Sequence, residues 1–292
     1  MVRVFCAVLL IGLLASAASS HPSIAYVKVV TAETVAHTVT VDLTNPNVRV
    51  SVALAKGGAG SSEPFKSIVK RTRPVAAVTG TFFDTRTLLP TGDIALFGTL
   101  VHSGCIGSAL CIDSTNRAAI VPLRVGRETR WAGYETVLCA GPTLLAGGKI
   151  AIAVRHEGFR RSLYGRNQRT AVGITKAGKL LLVVVNRKAS LYDVAKLMMK
   201  LHVVDAVSLD GGSSTAFYHA GRYFAVPFRN LTNCLVVYAS AQDYERARAA
   251  LAPAQLFAKA QVEPLPRPAP GFVLGQLLPP GIPSDLVFSG RR

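Results

Sequence analysis

The chain has 292 residues, half of them hydrophobic and 17% charged, enough to bury one well-formed core with room for a leader and a tail. Its formal net charge is +17, which favours anionic partners such as phosphate-bearing sugars, anionic glycan polymers or acidic lipid surfaces. No recognisable nucleic-acid module accompanies that charge, and no repeat with a period of roughly 20–50 residues runs along the chain, so nucleic-acid binding, solenoids and propellers are set aside.

Arg3, the apolar run from Val4 to Leu14 and the small residues Ala15-Ser16-Ala17 read as a signal peptide over residues 1–20. The run is shorter than the roughly 20 apolar residues of a membrane span; a retained anchor is the alternative. No later stretch resembles a span. The mature chain is therefore expected to be secreted, periplasmic or in the cell envelope, with one domain over residues 21–251 and a proline-rich tail over 252–292. Eight of the sixteen prolines fall from Pro253 onward, a composition suited to extended chain. Loss of the leader removes Cys6 and leaves Cys105, Cys111, Cys139 and Cys234. An even number in an exported chain permits two disulfides of open connectivity, and Cys105 and Cys111 are near enough to bridge a short loop.

Along the domain, Tyr26–Val30, Val35–Leu43 and Val48–Leu54 carry strand composition. The turn Asn45-Pro46-Asn47 reads the last two as a hairpin. Ser62 is placed to cap a helix through Arg71. Val75–Val78 is a short strand, Pro90-Thr91-Gly92-Asp93 a turn, and further strands follow to Val125. Ala146-Gly147-Gly148-Lys149 reads as a hairpin tip, and Arg169–Thr175 and Lys179–Val185 as strands joined at Lys176-Ala177-Gly178. Leu191–His202 is the clearest helix, with Ser190 and Asp193 as a capping box and Leu191, Val194, Leu197, Met198 and Leu201 at helical spacing. A strand over Ala206–Leu209, another over Cys234–Tyr238 and a helix over Ala241–Leu251 complete it. Many strands in runs with few helices predict an α+β domain with mixed, mostly antiparallel β-sheets and a few packed helices.

The segment Leu209-Asp210-Gly211-Gly212-Ser213-Ser214 concentrates chemistry. It sets a carboxylate at a strand end, glycines that let a substrate approach main-chain N–H groups, and two hydroxyl donors. A plain Asp-Gly turn with a capping serine is the alternative. The densest basic run is Arg155, His156, Arg160, Arg161, Arg166 and Arg169, which is otherwise a solvated loop. Phosphate-loop, zincin and nucleophile-elbow motifs are missing, so no nucleotide, catalytic zinc or other cofactor is expected, and Ser213 is not read as a nucleophile.

The segment resembles the Leu-Asp-Gly-Gly-Gly-Ser-Ser signature of the phosphodiester glycosidases. In the same order, Thr79-Gly80-Thr81-Phe82-Phe83-Asp84 is similar to that family's Asn-Gly-Gly-Phe-Phe-Asp. Ala140-Gly141-Pro142-Thr143-Leu144-Leu145 is similar to its Gly-Gly-Pro-x-Leu-Val, and Gln168 to Ile174 to its Pro-Arg-Thr-Ala-Ile-Gly. Arg229 to Asn233 also fits, so the resemblance covers about residues 26 to 240. Departures are Thr79 for an asparagine, Thr81 for a glycine, one missing glycine after Gly212, and Val185-Asn186-Arg187 where Asp-Gly-Arg is frequent.

The resemblance implies hydrolysis of a sugar-1-phosphodiester at its anomeric carbon, in polysaccharide or cell-wall polymer metabolism. It points to Asp210, Arg169 and Asp84 as catalytic candidates. Arg169 is the expected two-pronged phosphate ligand and Asp84 the expected second carboxylate, with Asp93, Glu135 and Glu157 behind it. Thr79, Gly80, Thr170, Gly211, Gly212, Ser213, Ser214 and Asn233 are the substrate-binding candidates, and His102 and His156 weaker acid–base ones. The rival reading is a non-catalytic module that binds anionic, phosphate-bearing glycans, favoured by Thr79 in place of asparagine.

Overall fold

Alternation along the central strands decides which side chains face which layer. A computed structural model of the chain describes residues 23–31, 34–104, 106–122 and 131–256. The leader, Cys105 and most of the proline-rich tail lie outside these. Three strands come first, β1 (Ile24–Val30), β2 (Val35–Val41) and β3 (Arg49–Leu54), then helix α1 (Phe65–Thr72) and β4 (Ala76–Thr79). An all-strand stretch follows, with β5 (Ile94–Leu96), β6 (Thr99–His102), β7 (Ser108–Asp113), β8 (Ala118–Pro122), β9 (Tyr134–Cys139), β10 (Thr143–Ala146) and β11 (Lys149–Ile150). The last part holds β12 (Asn167–Thr175), β13 (Leu180–Ala189), α2 (Leu191–Lys200), β14 (Val203–Leu209), β15 (Phe217–His219), β16 (Arg222–Ala225), β17 (Asn233–Tyr238) and α3 (Ala241–Leu251).

These strands form three sheets, in the orders β1-β2-β13-β12-β14-β10-β11, β16-β15-β4-β17-β3 and β6-β5-β9-β7-β8. Every ladder among the described residues is antiparallel, as β12 with β14 and β17 with β4 illustrate, and the fold is α+β. In β13, Leu180, Leu182 and Val184 point into the main core shared with the other sheets, whereas Leu181, Val183 and Val185 point the other way. That second face is covered by α2, whose Leu191, Val194, Leu197 and Met198 are nearly fully buried. Each such side chain contributes about 2 kcal/mol of burial. The β4–β17–β3 sheet is covered on its outer face by α1 and α3 through Phe65, Ile68, Tyr244 and Leu251. The result is a layered α-β-β-α stack with the third sheet closing the main core.

Helix α2 carries the expected capping box, with Asp193 N–H donating to Ser190 Oγ at 3.1 Å and Ser190 N–H to Asp193 Oδ2 at 2.9 Å. Other local readings are corrected. The strands flanking Asn45-Pro46-Asn47 do not form a hairpin: β2 pairs with β1 and β13, and β3 pairs with β17 in another sheet. Turn chemistry is the same for a hairpin and a sheet-crossing corner, and long-range pairing decides between them. Helix α1 begins after Pro64 with no side-chain cap from Ser62. Among the described residues no helix is long and apolar enough to cross a membrane.

The bridged-cysteine expectation is corrected for the three cysteines described, since Cys111, Cys139 and Cys234 are free and buried. Cys234 lies under α1 and α3, on a different layer from the other two. Cys111 opposes Val137 and Ala109 opposes Cys139, so the two residues are diagonal neighbours with their backbones about 7–8 Å apart, wider than a disulfide spans. Burial pushes all three thiols up, away from the reactive thiolate. Alkylation without reductant should therefore leave these three cysteines unlabelled in native protein and label all three in denaturant. A bridged peptide joining any two of them would contradict this.

Candidate active site

Asp210 leaves the end of β14, a central strand flanked by β12 and β10. Its backbone N–H donates to the carbonyl of Gly80 at 3.0 Å, and Gly80 follows β4 of the other sheet. The two sheets are joined at this point. Gly80 N–H donates to the carbonyl of Asn233 at 3.2 Å, and Thr81 N–H to Asn233 Oδ1 at 2.9 Å. The Asn233 amide crosses so close over Gly80 that an added Cβ would lie 1.8 Å from Oδ1. Only glycine fits there.

Two further segments press on the same turn. Gly141 N–H donates to Ser208 O at 2.7 Å, and Ser208 N–H donates to Pro142 O at 3.0 Å. A Cβ on Gly141 would meet the Phe82 ring at 2.6 Å, so the aromatic rests directly on bare backbone. On the other flank, a Cβ on Gly211 would lie 2.7 Å from Gln168 O, and Gly212 has φ +58 beside Asn167. Gly212, Ser213 and Ser214 form a single 3-10 turn. The four motif segments that are far apart in sequence thus meet around one carboxylate.

The Asp210 carboxyl is half-buried, and burial pushes it up to about 6 from 3.8, against the lowering pull of the Ser214 hydroxyl, the Gly211 N–H and the charge of Arg229. Gly211 N–H donates to Oδ1 at 2.8 Å. Arg229, in the exposed loop before β17, has its guanidinium 5.7 Å from the centre of the Phe83 ring. It is a candidate that the sequence alone does not single out, and its charge favours the ionised form of Asp210. Its segment matched the family, but nothing in the local pattern reveals that its charge acts on Asp210.

The remaining candidates are placed differently. Arg169 is 5% exposed, with Nε donating to Ala189 O at 3.0 Å and Nη2 to Leu163 O at 2.8 Å and to Gly165 O. Its Nε–Nη2 edge is taken by backbone carbonyls, so buried Arg169 holds the 163–165 turn and does not offer that edge to a phosphate. Asp84 is exposed, and its Oδ1 accepts from the N–H of Arg86 and Thr87 and from the Thr87 hydroxyl, which draws the carboxyl below its ordinary value. It caps its own turn on the loop that carries Phe82 and Phe83. Thr79 and Thr170 are buried. The hydroxyls of Thr81, Thr170 and Thr215, on three segments that flank Asp210, have no partner within the protein.

Asp93 accepts from Trp131 Nε1 at 2.6 Å and Gly104 N–H at 2.7 Å, and Glu157 accepts from Ser108 and Thr143. Both tie loops together. His102 reaches Pro90 O at 2.7 Å. In the basic run, Arg166 pairs with Asp193 at 2.7 Å, while Arg155, His156, Arg160 and Arg161 are exposed. Phe159 packs on Phe82, with ring centres 5.3 Å apart, and so holds this basic loop beside the site.

A family model for phosphodiester glycosidases matches residues 72–238. The chain belongs to the phosphodiester glycosidase family. The catalytic domain of zebrafish N-acetylglucosamine-1-phosphodiester alpha-N-acetylglucosaminidase, auto-inhibited by its pro-peptide, shares the fold with a TM-score of 0.60 and 22% identity, over 74% of this chain and 82% of that one. A hypothetical protein from Synechocystis aligns with a TM-score of 0.59 and 16% identity over 73% of this chain and 61% of that one, so this chain spans less than two thirds of its length. A Burkholderia pseudomallei protein described as exported aligns with a TM-score of 0.56 and 16% identity over 70% and 74% of the two chains. No curated protein sequence matches the chain.

Burial of Asp210 has a stability consequence. The folded carboxyl at about 6 holds its proton more tightly than an unfolded one at 3.8, so the protein loses stability as pH rises through that window, by about 3 kcal/mol in total. Asp210→Asn should flatten the pH dependence of urea unfolding between about pH 4 and 6 and stabilise the protein at pH 8 by about 1–3 kcal/mol. An unchanged pH profile in the variant would contradict the assignment.

Proposed function

We propose that the chain is an exported glycosidase that hydrolyses a sugar-1-phosphodiester, of the N-acetylglucosamine-1-phosphodiester kind, at the anomeric carbon. The observation that carries this reading is the convergence of the family's separated motifs on Asp210. The bond broken joins the anomeric carbon to the bridging oxygen, and that oxygen leaves with both electrons as part of a phosphomonoester. Such a leaving group is weakly basic, so it calls for charge stabilisation more than for a strong proton donor. Arg229, whose charge acts on Asp210, is the cation proposed to meet that charge. Asp210, ionised above pH 6, faces the positive charge that grows on the anomeric carbon, and water completes the reaction there, its proton passing to solvent. The hydroxyl of Ser213, on the half-buried Asp-Gly-Gly turn, is suited to a sugar hydroxyl or a phosphate oxygen.

Supporting context comes from charge and leader. Arg155, Arg160 and Arg161 form an exposed basic rim suited to steering an anionic envelope polymer toward the site. The apolar leader and the small residues after it fit export.

The test is release of free reducing sugar from a panel of sugar-1-phosphodiesters. The rate should rise with pH through about 6 as Asp210 loses its proton. Asp210→Asn should retain less than about a tenth of the wild-type rate, a loss of more than about 1.4 kcal/mol of barrier stabilisation. Arg229→Gln should lower kcat/KM by about a hundredfold or more. Binding of the diesters without any sugar release would favour the non-catalytic module instead.

A further inference from the structure

The segment that carries exposed Arg160 and Arg161 ends on Asn167, the first residue of β12. Arg169 ties that segment down through the carbonyls of Leu163 and Gly165. The start of β12 then runs against the Asp-Gly-Gly turn. A Cβ on Gly211 would lie 2.7 Å from Gln168 O, and one on Gly212 would lie 2.9 Å from Asn167 Nδ2. The Asn167 amide therefore rests on bare glycine backbone, and Gly211 next to it donates its N–H to Asp210 Oδ1 at 2.8 Å. Asn167 itself is exposed. Its orientation is fixed by its own strand, because Oδ1 accepts from Gln168 N–H at 2.9 Å and leaves Nδ2 toward Gly212. That is the only hydrogen bond of this side chain among the described residues. An amide whose oxygen is engaged and whose two N–H groups are free can only look for acceptors.

Resting on the glycosidase reading above, we propose that Asn167 is a substrate-binding residue, whose side-chain amide donates to a non-bridging phosphoryl oxygen of the diester. It takes up, as a neutral donor, part of the task that the family pattern suggests for Arg169. Two features favour the phosphate over the sugar as its ligand. Phosphoryl oxygens are charged and accept only, so they suit a donor that has no acceptor left to offer. The segment leading to Asn167 also carries the exposed Arg160 and Arg161, a charge that draws the anionic part of a substrate to this flank. Arg166, next to Asn167, is engaged by Asp193 and by the Lys188 carbonyl, so the amide is the donor held against the turn.

The experiment rests on Asn167→Asp, which keeps the volume and the oxygen that accepts from Gln168 N–H but turns the donor into a second acceptor. Two ligands are compared: the methyl ester of N-acetylglucosamine-1-phosphate as substrate, and free N-acetylglucosamine as competing inhibitor. In Asn167→Asp, kcat/KM for the ester should fall by about thirtyfold or more, while the inhibition constant of the free sugar shifts by less than about threefold. Asn167→Ala, which adds no charge, should lose about tenfold. Both losses should persist at about 0.5 M NaCl, where a charge acting from a distance is screened; circular dichroism confirms that both variants are folded. An equal loss for the free sugar puts the amide on the sugar and overturns the proposal. An unchanged Asn167→Ala, or a loss that vanishes in salt, overturns it too. If the ester binds and is not cleaved, the glycosidase reading fails, and calorimetric affinities for the ester and the sugar decide Asn167 by the same ratios. An ester that does not bind at all overturns both.

Discussion

The bond from the Asp210 N–H to the Gly80 carbonyl, 3.0 Å long, joins the ends of two strands that belong to different sheets. The carboxylate that follows β14 can be held at a fixed height only if the β4 end is held too, and Asn233 does that by bonding to both Gly80 and Thr81. The approach is so close that side chains are excluded at Gly80, Gly141 and Gly211. Glycine at these positions is a packing requirement as much as a conformational one. The layered stack exists on either side of this seam: α2 backs one sheet, α1 and α3 back the other, and the site lies where their edges meet.

The seam also sets the electrostatics. A carboxyl placed among tightly packed backbone loses water on most sides and is pushed up to about 6, although three partners favour its ionised form. The fold therefore carries a group that weakens it at neutral pH, a pattern expected where a charge is held for chemistry rather than for stability. Arg229 supplies the compensating cation without closing the site, because it is exposed and rests on the Phe83 ring. Buried Arg169 plays a different part, tying the 163–165 turn to the end of β13 through carbonyls.

What was legible in the sequence followed physical rules that act locally. The α2 helix was readable from its capping box and apolar spacing, and the β12–β13 pair from alternation around Lys176-Ala177-Gly178. The Asp-Gly-Gly turn was readable because glycines beside a carboxylate are chemically distinctive. Readings that failed needed distances across the chain. The β2–β3 turn leads into another sheet, and the thiols of Cys111 and Cys234 sit in different layers. Arg169 matched the family pattern, yet where a strand arginine points depends on the strand's face, and this one faces away from the main core, toward the turn it holds. Arg229 sat in a matched segment, but its loop meets the Asp-Gly-Gly turn only through a long-range bond, from Phe228 N–H to Ser213 O.

Placement of an intact substrate gives the most direct test of this arrangement. A crystal structure of Asp210→Asn with an uncleaved sugar-1-phosphodiester should show the anomeric carbon within about 3.5 Å of the residue 210 side chain. The phosphate should lie on Arg229. A diester bound with its phosphate at the Arg160–Arg161 loop, and its anomeric carbon away from the Gly80–Asp210 seam, would contradict the account.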